Sequence, residues 1–294
     1  MGLTAETTAE LTKAGLDPAE VELLVGRALH EDLDGGIDVT SVATVPFDLA
    51  GVADFAARAP GVVAGLPVVR AVLEIVTDDS VLIETRVRDG SCVAAGDVVL
   101  TARALVRSLL TAERTALNVL CHLSGVATAT RQWVDAVAGT GATILDTRKT
   151  NPGLRALEKY AVRCGGGSNK RMGLYDAALV KDNHVLAAGG VAEAYRAIRD
   201  LFPAIDVQVE CDTVAQVEEA LQVGATFLLL DNMSLEDMAE AVRLTAGRAE
   251  LEATGGLSLD RARAVAETGV NFLSVGALTH SAAVLDIGVD LRSV

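Results

Sequence analysis

The stretch Thr143–Thr150, which reads TILDTRKT, is a short apolar run that ends in polar and charged residues. Five later runs repeat this pattern, with amphipathic segments between them. The six runs are Thr143–Leu145, Ala177–Val180, Val207–Val209, Phe227–Leu230, Glu250–Glu252 and Phe272–Val275. Such an alternation predicts buried parallel strands joined by right-handed helical crossovers. Because about six strands are too few for a closed barrel of eight, the sequence predicts an incomplete, open-sided parallel α/β barrel, with an open doubly wound sheet as the alternative.

The chain has a different character before about residue 120. A helical stretch runs from Pro18 to about His30, and β-rich segments follow at Gly51–Ala59 and Val81–Val87. Turn residues at Asp89-Gly90 and at Ala95-Gly96-Asp97 predict a hairpin over residues 87–100. The barrel is therefore expected to follow a separate region that mixes helices and strands.

Composition argues against several classes of partner. A net charge of −15 argues against nucleic acid as the main partner. The apolar runs stay below the roughly 18 residues of a membrane span, and the N-terminus lacks the cationic start and apolar core of a signal peptide. The cysteines are far apart and form no CxxC pair, which favours free thiols over disulfides or metal ligands; they are Cys92, Cys121, Cys164 and Cys211. We therefore expect a cytoplasmic protein that binds neither nucleic acid nor a membrane.

Basic residues gather in one stretch of this acidic chain. Between Leu145 and Asp182 there are eight cations and four acids. The cations are Arg148, Lys149, Arg155, Lys159, Arg163, Lys170, Arg171 and Lys181. A local excess of positive charge in a protein of opposite net charge predicts a pocket for a polyanion, with a solvated basic helix as the alternative.

Functional residue types follow the predicted strands. Cations follow the first two strands, single carboxylates the middle two, and glycine-rich loops the last two. Side chains at the C-terminal ends of barrel strands converge on one site. The glycine-rich loops predict a phosphate cradle formed by Gly255, Gly256, Ser274 and Gly276.

Isolated carboxylates on adjacent strands suit a Mg²⁺ that also binds substrate phosphates; they are Glu210 and Asp231. Four cations could hold carboxylates or a pyrophosphate, namely Arg148, Lys149, Arg171 and Lys181. This set fits a phosphoribosyl diphosphate together with an organic diacid.

Nearly the whole chain resembles the quinolinate phosphoribosyltransferase family. The resemblance rests on many short motifs that occur in the same order. They are His30–Leu33 (HEDL), Asp38–Ser41 (DVTS), Glu113–Asn118 (ERTALN), Leu123–Thr128 (LSGVAT), Asp146–Thr150 (DTRKT), Pro152–Arg155 (PGLR), Glu158–Val162 (EKYAV), Gly165–Gly167 (GGG), Arg171, Lys181–His184 (KDNH), Leu230–Met233 (LDNM) and Ser274–Ala277 (SVGA).

The resemblance implies a particular subunit and assembly. It implies an α/β sandwich domain over residues 1–118, rejoined by the tail 284–294, and a barrel domain over residues 119–283. It also implies a homo-oligomer, either a dimer or a hexamer of dimers, in which Arg114 reaches the neighbouring subunit's site. The alternative for Arg114 is a surface arginine paired with Glu113 or Glu158.

The implied reaction converts quinolinate and 5-phosphoribosyl 1-diphosphate to nicotinate mononucleotide, pyrophosphate and CO₂, with Mg²⁺, in de novo NAD biosynthesis. The implied catalytic residues are Lys149, Glu210 and Asp231, of which Glu210 and Asp231 would hold the metal. The implied quinolinate-binding residues are Arg114, Arg148, Lys170, Arg171 and Lys181. The implied residues for phosphoribosyl diphosphate are Lys149, Lys181, Gly255, Gly256, Ser274 and Gly276.

One residue departs from the family pattern, because Lys170 stands where a histidine is expected. Lysine keeps a positive charge at ordinary pH but lacks a titration near neutrality. His184 is expected either to contact substrate or to orient a neighbour that does.

Three other functions remain open from the residues alone. A Schiff-base aldolase would use a desolvated Lys181. A non-catalytic sensor would bind a phosphate ligand without turnover. A type I phosphoribosyltransferase is suggested by Asp78-Asp79 after an apolar run, but its phosphate loop is missing, so this acid pair is expected to be a turn.

Overall fold

Parallel and antiparallel strands lie in separate sheets in the computed structural model, which describes residues 2–77 and 80–293. The strands are β1 (Ala50–Ala57), β2 (Gly61–Val62), β3 (Leu82–Thr85), β4 (Cys92–Val93), β5 (Val98–Leu105), β6 (Thr143–Leu145), β7 (Ala178–Val180), β8 (Val207–Cys211), β9 (Phe227–Asp231), β10 (Glu250–Thr254), β11 (Phe272–Ser274) and β12 (Ile287–Ser293). The helices are α1 (Ala5–Lys13), α2 (Pro18–Leu33), α3 (Val39–Thr44), α4 (Leu66–Thr77), α5 (Val106–Ala136), α6 (Arg155–Cys164), α7 (Asp182–Ala188), α8 (Val191–Leu201), α9 (Val214–Gln222), α10 (Leu235–Thr245), α11 (Ala262–Ala266) and α12 (Ala277–His280), with a 3₁₀ turn at Leu259–Arg261.

These elements form two units. The first contains the described residues of Met1–Ala129, Ala156–Gly166 and Ser281–Val294, and the second contains Thr130–Arg155 and Gly167–His280. Among the described residues, none of the helices combines the length and the apolar character that crossing a bilayer requires. The predicted turn at Asp78-Asp79 lies outside the described residues.

The first unit contains a four-stranded antiparallel sheet in the order β12-β1-β5-β3. The C-terminal strand β12 pairs with β1 along its length, and Arg58 makes two hydrogen bonds of 3.0 and 2.7 Å with Asp290 where the two strands meet. Helix α4 packs against β5, and α1 and α2 pack against α4. Since nine residues of α4 are buried, this helix forms the core between the sheet and the outer helices. The predicted α/β sandwich is therefore confirmed.

The predicted hairpin over residues 87–100 is wrong. The expected turns exist, because Gly90 and Gly96 have φ of 87° and 94°. However, β4 pairs with β2, while β5 pairs with β1 and β3. Turn residues predict where a chain reverses. Which strands then pair depends on the other strands that are available when the sheet assembles.

Segment 156–166 belongs to the first unit because its side chains bind there. The buried Tyr160 donates a hydrogen bond of 2.6 Å from its hydroxyl to Asp89 Oδ2. Asp89 also accepts from the backbone N–H groups of Gly65 and Leu66, 2.8 and 3.2 Å away, at the start of α4. Burial raises the pKa of the Asp89 carboxyl, although these three donors oppose the shift.

The second unit contains a six-stranded parallel sheet in the order β6-β11-β10-β9-β8-β7. From β7 to β11 each strand lies beside its successor in the chain, and the first strand, β6, lies beside the last. This cyclic order is that of a barrel opened between β6 and β7, whereas a doubly wound sheet reverses its order at a switch point. The open-sided parallel α/β barrel predicted from the sequence is confirmed, and the predicted strands agree with the observed ones to within two residues at each end.

Candidate active site

A cavity of about 570 Å³ lies at the C-terminal ends of the barrel strands. Its lining consists of strand-end and loop residues of the second unit. Ten of the site residues predicted from the sequence line it: Arg148, Lys149, Lys170, Arg171, Lys181, Glu210, Asp231, Gly255, Gly256 and Ser274. The other lining residues are Thr147, Leu179, Leu229, Asn232, Glu252 and Thr254. The carboxyl ends of the parallel strands therefore converge on this cavity.

The loop after β6 presents two of the cations. The Thr147 hydroxyl accepts a hydrogen bond of 3.0 Å from the Lys149 backbone N–H, and Thr279 donates one of 2.8 Å to the Lys149 carbonyl. These bonds fix the backbone on both sides of Arg148, whose side chain lines the cavity. Within the described residues, the buried Nε of Arg148 has no hydrogen-bond partner. A buried guanidinium N–H without an acceptor can donate to an anionic ligand.

A second segment runs beside β6 and carries Lys170 and Arg171. Ser168 forms a parallel bridge with Leu145. Buried Asp146 accepts hydrogen bonds of 2.5 Å from the Asn169 side chain and 2.9 Å from the Lys170 backbone N–H. Asp146 therefore anchors this segment to the end of β6.

The Arg171 guanidinium also lines the cavity. It donates a hydrogen bond of 2.8 Å to the Ala177 carbonyl, which fixes its direction. Burial lowers the pKa of Arg171, and the charge of Arg148 lowers it further. An arginine stays charged even so, because its ordinary pKa is so high. Two neighbouring guanidinium groups therefore concentrate positive charge at one part of the wall.

Lys170 makes a buried ion pair that the sequence analysis missed. Its Nζ lies 2.6 Å from Oε1 of Glu252, and the two side chains are 9% and 0% exposed. Burial lowers the pKa of the Lys170 ammonium, while the Glu252 carboxylate opposes that shift. Glu252 lies on β10 two residues before Thr254, on the side of the strand that faces the cavity. The alternation within β10 was the available signal, because it places a carboxylate at an inward position.

The two predicted metal ligands are carboxylates on adjacent strands. Glu210 is on β8 and Asp231 ends β9. Glu210 Oε2 lies 3.0 Å from Lys181 Nζ, and Asp231 Oδ2 accepts a hydrogen bond of 2.9 Å from the Asn232 side chain. The described residues contain no cluster of three or more His, Cys, Asp or Glu that could hold a metal ion. Two carboxylates are enough for Mg²⁺, because this ion keeps several water ligands and also coordinates substrate phosphates.

Gly255, in the glycine-rich loop after β10, packs too closely against its neighbours for any side chain. Gly255 has a φ of 81°, and a Cβ there would lie 2.5 Å from Asn232 Oδ1. Next to the loop, Ser274 is buried, and its hydroxyl has no hydrogen-bond partner within the part of the chain that is described. A loop without side chains lets phosphate oxygens approach its backbone, and the unused Ser274 hydroxyl can donate to them.

Two predicted site residues do not line the cavity. Gly276 lies behind Lys149, because a Cβ at this position would be 2.9 Å from the Lys149 Cδ. Arg114 is on α5 in the first unit and is exposed. Among described residues Arg114 has no ion pair, and buried Glu158 instead pairs with His122 at 2.9 Å. The alternative pairing for Arg114 is therefore not found, and its role remains a prediction.

Contacts of His184 and Lys181 bear on two expectations about individual residues. His184 Nδ1 accepts a hydrogen bond of 2.9 Å from the Lys181 backbone N–H, so His184 orients the start of α7. Lys181 is 48% exposed and paired with Glu210. A Schiff-base lysine needs a desolvated amine, so the geometry does not support the aldolase alternative.

Comparison with known proteins points to one family. The family model for the quinolinate phosphoribosyl transferase C-terminal domain matches residues 126–290, and that for the N-terminal domain matches residues 38–124. The nicotinate-nucleotide pyrophosphorylase (carboxylating) of Mycobacterium leprae is 51% identical over 271 residues, which cover 91% of this chain and 95% of that protein. The chloroplastic enzyme of the same name from Arabidopsis thaliana is 37% identical, with 99% and 90% covered. The crystal structure of NadC from Streptococcus pyogenes has a TM-score of 0.91 at 38% identity, with 95% and 99% covered.

Proposed function

The chain belongs to the quinolinate phosphoribosyltransferase family, and we propose that it transfers phosphoribose from 5-phosphoribosyl 1-diphosphate to quinolinate. The products are nicotinate mononucleotide, pyrophosphate and CO₂, and the reaction supplies NAD biosynthesis. One observation carries this proposal: a single cavity combines cations, carboxylates and a glycine-rich loop. A diacid and a diphosphate ester together need this combination.

Arg148 and Arg171 would bind the carboxylates of quinolinate. Both guanidinium groups line the cavity, and the forked geometry of arginine matches a carboxylate with two parallel hydrogen bonds. Held in this way, the pyridine nitrogen can attack C1 of the ribose without a general base, because its lone pair is not protonated near neutral pH. The bond from C1 to the pyrophosphate oxygen breaks as the bond from C1 to nitrogen forms.

Lys149 and the cradle would receive the phosphate groups. Lys149 lies beside Gly276, and Gly255, Gly256 and Ser274 line the same cavity. Negative charge grows on the departing pyrophosphate oxygens, so the Lys149 ammonium and backbone donors would stabilise the transition state more than the ground state. Loss of CO₂ from the carboxylate beside the ribosylated nitrogen follows. The ring carbon keeps the electron pair, stabilised by the positive nitrogen, and then takes a proton from water.

We also propose Mg²⁺ as the cofactor, held by Glu210 and Asp231. Their two carboxylates are oxygen donors of the type that Mg²⁺ prefers, and both line the cavity where the diphosphate would lie. When bound, Mg²⁺ would neutralise charge on the diphosphate. Without the metal, Glu210 is paired with Lys181.

A homo-oligomer is the proposed assembly, with Arg114 of one subunit completing the quinolinate site of its neighbour. Arg114 is an exposed arginine without an ion pair among the residues described. Such an arginine is available to an anion supplied from outside its own unit. A cytoplasmic location is also proposed, and the four free cysteines support it because a reducing compartment keeps thiols unpaired.

The test is an assay of the purified protein with phosphoribosyl diphosphate, Mg²⁺ and either quinolinate or nicotinate. We expect nicotinate mononucleotide and CO₂ from quinolinate, and no product from nicotinate. Product from nicotinate alone would overturn the diacid assignment. Tight binding of the diphosphate ester without turnover would indicate a sensor instead.

A further inference from the structure

Two of the lysines that line the cavity, Lys170 and Lys181, form ion pairs with carboxylates of the protein. Lys181 lies against Glu210 at 3.0 Å, and Lys170 lies against Glu252 at 2.6 Å. Both lysines are therefore balanced by carboxylates. Lys170 differs from Lys181 because its side chain and that of its partner are both almost completely removed from solvent. A buried pair of this kind is strongly coupled, since either charge left alone would be poorly solvated.

Glu252 is a carboxylate in apolar surroundings. Its position on β10 is opposite Leu229 on one side and Phe272 on the other, so its neighbours in the sheet are apolar. Its second oxygen, Oε2, is buried and has no hydrogen-bond partner among the described residues. An apolar side chain would fill this place more favourably than a carboxylate with one unsatisfied oxygen. A carboxylate at this place is explained by its ion pair with the Lys170 ammonium.

Burial and neighbouring charges both disfavour the charged form of Lys170. Burial lowers the pKa of its ammonium, and the nearby charges of Arg171 and Lys181 lower it further. The Glu252 carboxylate offsets these effects. It also directs the ammonium across the cavity, from the segment beside β6 to β10.

We propose that Glu252 is a positioning residue for the diacid substrate, which acts through Lys170 and does not touch the substrate itself. Glu252 favours the charged form of Lys170 and fixes its ammonium in the wall, where the ammonium can donate to a carboxylate of the substrate beside Arg148 and Arg171. The inference rests on the proposed function, because it takes quinolinate as the ligand of this wall.

A cycle of two substitutions tests the proposal. The proteins are the unmodified enzyme, Glu252→Gln, Lys170→Met and the double variant. Equilibrium binding of quinolinate by calorimetry is the primary readout, with KM for quinolinate and for phosphoribosyl diphosphate as the second. In the unmodified background, Glu252→Gln is expected to weaken quinolinate binding about tenfold or more, because Lys170 loses its counter-charge. In the Lys170→Met background, the same change is expected to leave binding unchanged, because Glu252 has no ammonium left to hold and a buried carboxylate without a counter-charge takes up a proton.

The loss of the effect in the Lys170→Met background separates positioning from a structural role. If Glu252→Gln weakens quinolinate binding equally in both backgrounds, or has no effect in either, Glu252 does not act through Lys170 and the proposal is overturned. Should Glu252→Gln alone fail to fold, the double variant must still bind quinolinate as tightly as Lys170→Met does, and weaker binding overturns the proposal. Failure of the proposed function would be seen differently, as an unmodified enzyme that makes no nicotinate mononucleotide.

Discussion

Gly255→Ala should destabilise the protein and impair its use of phosphoribosyl diphosphate, because the new side chain displaces its neighbours in the site. Gly255 has a φ of 81°, where a residue with a Cβ loses roughly 1–2 kcal/mol. The new Cβ would also lie 2.5 Å from Asn232 Oδ1 and 2.6 Å from Asp231 Oδ1, so both side chains must move. We expect a loss of about 2 kcal/mol or more in the free energy of unfolding. Because Asp231 shifts, kcat/KM for phosphoribosyl diphosphate should fall about a hundredfold.

Gly224→Ala is the matched control for this experiment. Gly224 has a φ of 85°, a Cβ at this position would have no atom within 4 Å, and the residue precedes β9 at the other end of the barrel. This variant therefore carries the backbone strain without the collision. Steady-state kinetics at saturating quinolinate and chemical denaturation are measured for both variants. The reasoning is refuted if Gly255→Ala keeps normal kinetics for phosphoribosyl diphosphate, or if both variants lose the same activity.

Three further predictions test other parts of the molecule. Tyr160→Phe should lower the free energy of unfolding by about 1–3 kcal/mol near neutral pH, since Asp89 loses its hydroxyl donor. Burial raises the pKa of Asp89, so this carboxyl takes up a proton at a higher pH in the folded state than in the unfolded state. The loss should therefore shrink towards acid pH in urea titrations, and a constant loss would contradict this assignment. Arg114→Ala and Arg148→Ala should each abolish most activity, but subunits of the two mixed in equal amounts should recover about a quarter of it, because half the dimers are mixed and each has one intact site; no recovery would place Arg114 outside the neighbour's site. Asp231→Asn should raise the Mg²⁺ concentration for half-maximal activity about tenfold, and an unchanged Mg²⁺ titration would remove Asp231 from the metal site.

Much of the barrel was predictable because its strands have a local signature. Most of the six strands are short runs of apolar residues, and polar residues at or just after the end of every strand line the cavity. Parallel strands carry their carboxyl ends to one edge, so the order of residues along the chain was enough to predict which of them meet. Ten predicted site residues line one cavity for this reason.

Pairings between distant segments were not predictable in the same way. The sequence around Cys92 gives turn signals but does not say that β4 pairs with β2. In the same way, Tyr160 lies within a stretch bounded by barrel segments, yet its hydroxyl binds Asp89 in the first unit. Such contacts depend on which buried polar groups need partners, and this is decided only when the whole unit is assembled.

The sequence by itself determined the class of fold, the number of barrel strands and the residue types at the strand ends, because hydrophobic periodicity and turn chemistry act over a few residues. Only the tertiary structure decided how the charges are balanced. Lys170 and Glu252 are 82 residues apart in the chain and become an ion pair only because the segment beside β6 faces β10 across the barrel. Whether a cation is free for substrate or already neutralised depends on burial and distance, which are properties of the folded chain.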